Sequence, residues 1–132
     1  MKNEVVAEFI RNIAKEYKFK NIVEVGVGYN YSVALSLREF NIFVVDINEN
    51  AIKKARMMGL KGYVDDVFNP NIYIYKNVDL IYSIRPPIEL QLAILELAKI
   101  VNCKVIIRPM YNEPPLELKL KNYKGEIFYL SF

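Results

Sequence analysis

Apolar residues along this chain switch between helical and strand spacing, and those switches mark its elements. Val5, Val6, Phe9, Ile10, Ile13 and Tyr17 recur at steps of three and four, so residues 3–17 are predicted to form an amphipathic helix. Asn21 to Val25 then read as a short buried strand, and a helix follows from a Ser32 cap to about Glu39. Ile42 to Val45 form a second strand ending at Asp46, Asn48 caps a third helix, and Gly59 stops it after Lys53, Lys54 and Arg56 in its last turns. Gly62 to Val64 and Val78 to Ser83 give the third and fourth strands. Pro87 starts the helix IELQLAILELAKIV, whose apolar residues on most faces predict deep burial, and Lys104 to Ile107 give the fifth strand.

After the proline-rich stretch from Pro109 to Pro115 the period becomes two. Leu116, Leu118 and Leu120 alternate with charged residues, a turn falls at Asn122 to Gly125, and Ile127 to Phe132 close a β-hairpin. Strands alternating with helices predict an α/β fold with a doubly wound, mostly parallel sheet, here ending in an antiparallel hairpin. Two connections are short. Residues 69–77, NPNIYIYKN, lack the stripe of a full crossover helix, so Ile72 to Tyr75 are expected to cover the sheet directly, and residues 111–115 leave no room for a last helix.

At 132 residues the chain is one domain, residues 1–132, long enough for a sizeable core. With 53% hydrophobic and 25% charged residues it is neither disordered nor a disulfide scaffold, and its single cysteine, Cys103, sits in an apolar run where it packs as a small hydrophobe. A reducing cytoplasm suits it. No apolar stretch is long enough to span a membrane, and Glu4 and Glu8 interrupt any leader-like core. The net charge of +3, from 18 basic and 15 acidic residues dispersed along the chain, gives no support for nucleic-acid binding. There is no histidine, so the commonest general base and metal ligand are both missing, and no metal site is predicted.

Chemistry concentrates at the predicted carboxyl ends of the strands, where ligands bind in such sheets. Gly26 and Gly28 follow the first strand and let the backbone approach a ligand closely; a tight turn with no ligand is the alternative. Glu24 lies in a buried strand, a costly place for a carboxylate without a cationic or hydrogen-bonding partner, and a lysine would serve. Asp46 ends the second strand 46 − 26 = 20 residues after the first glycine, the spacing at which an acid reaches ribose hydroxyls, although it could instead cap the next helix. Asp65 and Asp66 end the third strand, and either could be a turn residue.

With E-V-G-V-G at residues 24–28, Asp46-Ile47, Asp66-Val67, D-L-I-Y-S-I-R-P-P at 79–87 and the closing hairpin, the chain resembles the class I methyltransferases that use S-adenosylmethionine. The resemblance runs from about residue 3 to residue 132. It implies a Rossmann-like fold and S-adenosylmethionine as cofactor, with Glu24, Gly26, Gly28, Tyr29 and Asn30 near the methionine end, Asp46 on the ribose, Ile47, Asp66 and Val67 at the adenine, and Ser83 at the fourth strand. Asn30 stands where the family has a third glycine. Ser83 to Pro87 depart from the amino-methylating motif after the fourth strand, because Ile84 and Arg85 intervene and Ile88 stands where an aromatic is expected, so no catalytic residue is assigned. The short length and the YSIRPP run resemble a small archaeal family of uncharacterised proteins. The methyl acceptor is open, as is a homodimer or another protein partner; the alternative to an enzyme is a non-catalytic cofactor-binding or assembly module.

Overall fold

Strands with apolar residues on both faces have to be covered on both faces, and here five of them pair in parallel between two unequal helical layers. A computed structural model describes residues 2–110 and 117–132. The order is α1 (Asn3–Tyr17), β1 (Asn21–Val25), α2 (Ser32–Ser36), β2 (Asn41–Asp46), α3 (Glu49–Met57), β3 (Lys61–Val64), a 3₁₀ turn (Ile72–Tyr75), β4 (Leu80–Ile84), α4 (Ile88–Val101), β5 (Lys104–Arg108), β6 (Lys119–Tyr123) and β7 (Glu126–Leu130). Across the sheet the strands run β3-β2-β1-β4-β5-β7-β6, with β7 antiparallel to both neighbours. The winding reverses between β1 and β4, the doubly wound arrangement expected from the sequence, and the hairpin forms the antiparallel edge.

One face of the sheet packs Ile22, Val44, Leu80, Tyr82, Ile106 and Phe128 against α1, α2 and α3. Phe9 of α1 stacks on Phe128 of β7 with ring centroids 4.0 Å apart, which ties the first helix to the last strand. Fully burying such a side chain contributes about 1.5 to 3 kcal/mol. The Glu8–Lys124 ion pair holds the same junction at its rim, and the Arg108–Glu126 pair joins β5 to β7. The opposite face packs Val23, Val25, Val45, Ile81, Val105 and Ile107 against α4 and the inward side chains of Val67, Tyr75 and Val78.

Several expectations need correction. Helix α2 ends at Ser36, not near Glu39, because Leu37 turns inward to complete burial and closes the helix at the C-cap. Ser32 is its first helical residue and gives no cap; its backbone N–H and hydroxyl donate to Asn30 Oδ1 instead. Helix α4 buries only one face, through Gln91, Ile94, Leu97 and Ala98, and leaves Ile88, Leu92 and Ile100 exposed because a single 3₁₀ turn stands where a crossover helix would pack beside it. Of residues 72–75, Tyr75 is fully buried and covers the sheet, while Ile72 and Tyr73 are exposed. Leu120 is exposed on the outer strand, and Leu116 with the rest of residues 111–116 lies outside the described residues. Among the described residues no helix is long and apolar enough to cross a membrane.

Candidate functional site

Strand β1 does not release its neighbour at its last residue. The N–H groups of Gly26 and Val27 both donate to the Val45 carbonyl, at 2.8 and 3.3 Å, so the loop leaves the sheet clinging to β2. Gly26 and Gly28 have φ of 75° and 56°, a left-handed backbone that other L residues adopt only at a cost. Asp46, at the end of β2, holds this loop: Oδ2 accepts from Gly28 N–H at 2.8 Å, and Oδ1 accepts from Asn48 N–H at 2.8 Å. Asn48 itself caps α3, accepting from the N–H groups of Asn50 and Ala51. Asp46 is therefore not the cap. It joins the loop after β1 to the turn before α3.

A cavity of about 170 Å³ opens at this edge, lined by Val25, Gly26, Val45, Asp46, Ile47, Asp65, Asp66, Val67, Phe68 and Leu90. Ile47 is 68% exposed, a large apolar side chain at the rim with one side uncovered. The two adjacent acids divide their work. Asp65 accepts from Asn71 N–H at 3.0 Å through Oδ1 and from the Tyr75 hydroxyl at 2.6 Å through Oδ2, which staples residues 65–75 together. Asp66 accepts from Phe68 N–H at 2.9 Å through Oδ1, and Oδ2 has no partner among the described residues.

Glu24 lies below the loop, 2% exposed, and its partner is not a lysine: the Tyr82 hydroxyl donates to Oε1 at 2.7 Å. Burial pushes its carboxyl up to about 8, the charge of Asp46 adds to the rise, and the Tyr82 bond opposes it. At neutral pH Glu24 is mostly protonated.

Of the ten residues predicted from sequence, Gly26, Asp46, Ile47, Asp66 and Val67 line one cavity. Gly28, Tyr29 and Asn30 run along the loop beside it. Asn30 does not adopt a left-handed backbone, and its side chain accepts from Ser32, so it starts α2 rather than replacing a glycine. The Tyr29 hydroxyl accepts from Asn48 Nδ2 at 3.3 Å. Ser83 is buried under the loop with its hydroxyl donated to the Val25 carbonyl at 2.7 Å. Leu90 and Phe68 also line the cavity and were not predicted. Leu90 comes from α4, and its Cδ2 would lie 3.4 Å from a Cβ added at Gly26. Phe68, an exposed aromatic two residues past the strand-end acid, did carry a local signal.

This architecture recurs in solved proteins. An S-adenosylhomocysteine-bound methyltransferase of Podospora anserina superposes with a TM-score of 0.68 at 13% identity, covering 98% of this chain and 79% of that one. A sugar N-methyltransferase from Streptoalloteichus superposes with a TM-score of 0.65 at 15% identity, and this chain spans 60% of its length. The fold is thus that of the class I methyltransferases. In sequence, the uncharacterised protein family UPF0146 matches residues 6–132, and a UPF0146 protein of the archaeon Methanocaldococcus jannaschii is 54% identical over 99% of this chain and 97% of its own length.

Proposed function

The chain belongs to the UPF0146 family, and from its site we propose that it binds S-adenosylmethionine at the carboxyl edge of β1, β2 and β3 and acts as a minimal methyltransferase. The observation that carries this reading is the convergence of Asp46, Asp66 and Gly26 on one cavity at the point where the winding reverses. The donor set fits a nucleoside. Asp46 has lone pairs left on both oxygens for ribose hydroxyls, Asp66 Oδ2 is free to accept from an adenine amine, and Ile47, Val67 and Phe68 offer apolar surface to a base. A cavity of about 170 Å³ suits the nucleoside end alone, so the methionine end would lie along residues 26–30 above Glu24.

When bound, S-adenosylmethionine supplies a methyl group on a positively charged sulfur. Such a methyl group would need positioning and water exclusion more than proton transfer, which Gly26, Asp46, Asp66 and the apolar rim would supply, so a missing histidine is no obstacle. The acids along this edge favour a cationic ligand. Within residues 1–132 the candidates for an acceptor site are the loop after β4 and residues 69–75, and a second subunit is a further one. A homodimer or another protein partner would complete it, and a cytoplasmic setting suits the free Cys103.

A specific observation favours a second reading, a non-catalytic cofactor-binding or assembly module. At the end of β4 and in the loop after it the polar groups serve the fold: Ser83 bonds to Val25, and the Pro86 carbonyl accepts from Gln91 Nε2 at 3.2 Å. A thermal-shift titration separates binding from no binding, since ligand at 100 times Kd stabilises by about 2.7 kcal/mol. Incubation with methyl-labelled S-adenosylmethionine and extract fractions then separates the two readings. Label on a defined acceptor supports the enzyme; binding with no label in any fraction supports the module.

A further inference from the structure

Net charge hides an asymmetry that the sheet creates. Because the five central strands are parallel, their first residues share one edge, and Lys61 and Lys104 open β3 and β5 while Lys20 immediately precedes β1. Lys76 joins them at the approach to β4. All four are exposed, and Lys76 has no ion-pair partner among the described residues. The carboxylate nearest this edge, Asp79, is held by backbone: Oδ2 accepts from the N–H groups of Lys20 and Asn21, at 2.8 and 2.9 Å. Acids thus gather at the carboxyl edge and lysines at the amino edge.

Beside the lysines the missing crossover helix leaves aromatic rings uncovered. A cleft of about 200 Å³ is lined by Asn21, Asn41, Lys61, Tyr63, Tyr73 and Lys76, with Phe43 at its base in β2. Tyr73 is 84% exposed and Tyr63 43% exposed, and Phe43 meets Tyr63 edge to face at 5.3 Å. A polar ladder crosses three strands at its wall: Lys61 Nζ donates to Asn41 Oδ1 at 3.1 Å, and Asn41 Nδ2 donates to Asn21 Oδ1 at 2.7 Å. Asn77, also in the wall, makes no hydrogen bond among the described residues.

The geometry points to this cleft as a binding site for single-stranded nucleic acid, with an unpaired base against Tyr73 and Tyr63 and the phosphates along Lys61, Lys76 and Lys20. Aromatic faces beside a line of cations suit a chain that alternates flat bases with negative charge, and neither a simple polyanion nor an apolar peptide uses both. The side-chain amides offer donors and acceptors to a base edge. The site lies at the opposite end of the strands from the nucleoside cavity and does not depend on it.

Fluorescence anisotropy with labelled eight-residue strands tests this at 50 mM salt without added cofactor. Oligo-U and oligo-dT are expected to bind at least tenfold more tightly than an abasic strand of equal length, because the abasic strand keeps the charge and loses the stacking. Tyr73→Ala is expected to weaken oligo-U binding about tenfold, within the range of one lost stacking contact, and to leave the abasic strand unchanged. As Tyr73 is almost fully exposed, the variant folds normally. Replacing Lys61 and Lys76 by Gln is expected to flatten the log–log salt dependence by about 1.4, from about 0.7 per phosphate contact on a single strand. A stronger preference for oligo-U over oligo-dT would identify the ribose as part of what is read. No binding at millimolar strand, equal affinity for the abasic strand, or an unchanged Tyr73→Ala each overturns the proposal.

Discussion

Asp46 accepts the backbone N–H of Gly28 at 2.8 Å, so the acid that ends β2 also fixes the loop that follows β1. Its other oxygen accepts from Asn48, and both N–H groups need an acceptor. Asp46→Ala is therefore expected to cost about 1.5 to 3 kcal/mol of stability as well as ligand affinity. Asp46→Asn is not a neutral control, because its amide offers one acceptor oxygen where two N–H groups converge; a loss of about 1 to 2 kcal/mol is expected. Denaturant unfolding of both variants checks this, and wild-type stability in both would remove the clamp.

Glu24 predicts a pH dependence. Its carboxyl rises from an ordinary 4.5 to about 8 on folding, so the folded chain holds a proton that the unfolded chain releases. Stability from this group is greatest below pH 4.5 and falls as pH rises to about 8, by up to about 1.4 kcal/mol per pH unit. Glu24→Gln keeps an acceptor for Tyr82 and removes the titration. Unfolding free energies measured from pH 5 to 8 are expected to decline more steeply for wild type than for Glu24→Gln; parallel curves would show that Glu24 does not titrate in this window.

The two adjacent acids at the end of β3 are separable by mutation. Tyr75→Phe removes the 2.6 Å bond to Asp65 from a fully buried position and is expected to cost about 1.5 to 3 kcal/mol of stability with ligand affinity unchanged. Asp66→Asn should do the reverse, weakening the ligand and sparing the fold. Paired melting and titration curves decide, and a fall in affinity for Tyr75→Phe alone would move the adenine role toward Asp65.

Glycine substitutions separate backbone strain from occupied space. Both Gly26→Ala and Gly28→Ala force a left-handed alanine, about 1 to 2 kcal/mol each. A Cβ at Gly28 meets nothing within 4 Å, whereas at Gly26 it lies 3.4 Å from Leu90 and points its volume at the cavity wall. Similar stability losses are expected, with the larger affinity loss at Gly26. Equal affinities in the two variants would place the ligand away from that wall.

Sequence periodicity was enough to place the five parallel strands and α1, since buried parallel strands and one-sided helices leave countable patterns, but Asn122 and Tyr123, expected in the hairpin turn, belong to β6 and pair with Ile127 and Glu126. Helix α4 was misread because IELQLAILELAKIV gives the same apolar text whether or not a neighbouring helix exists to cover Ile88, Leu92 and Ile100. Asp46 and Asp66 were legible from their places at strand ends. Leu90 was not, because only the pairing of β1 with β4 brings α4 over Gly26. The Tyr82 partner of Glu24 was hidden for the same reason: 58 residues separate them in sequence and one strand spacing separates them in the sheet. Ser83 and Asn30 fell at positions that the resemblance places near the cofactor, yet their side chains turn to Val25 and Ser32.

Isothermal calorimetry of S-adenosylmethionine and S-adenosylhomocysteine, on wild type and Asp66→Asn, tests the central claim most directly. Saturable one-to-one binding of both ligands to the wild type is expected, with a roughly tenfold or greater loss in the variant, as for a hydrogen bond to a charged acceptor. No heat of binding to the wild type at millimolar ligand would contradict it.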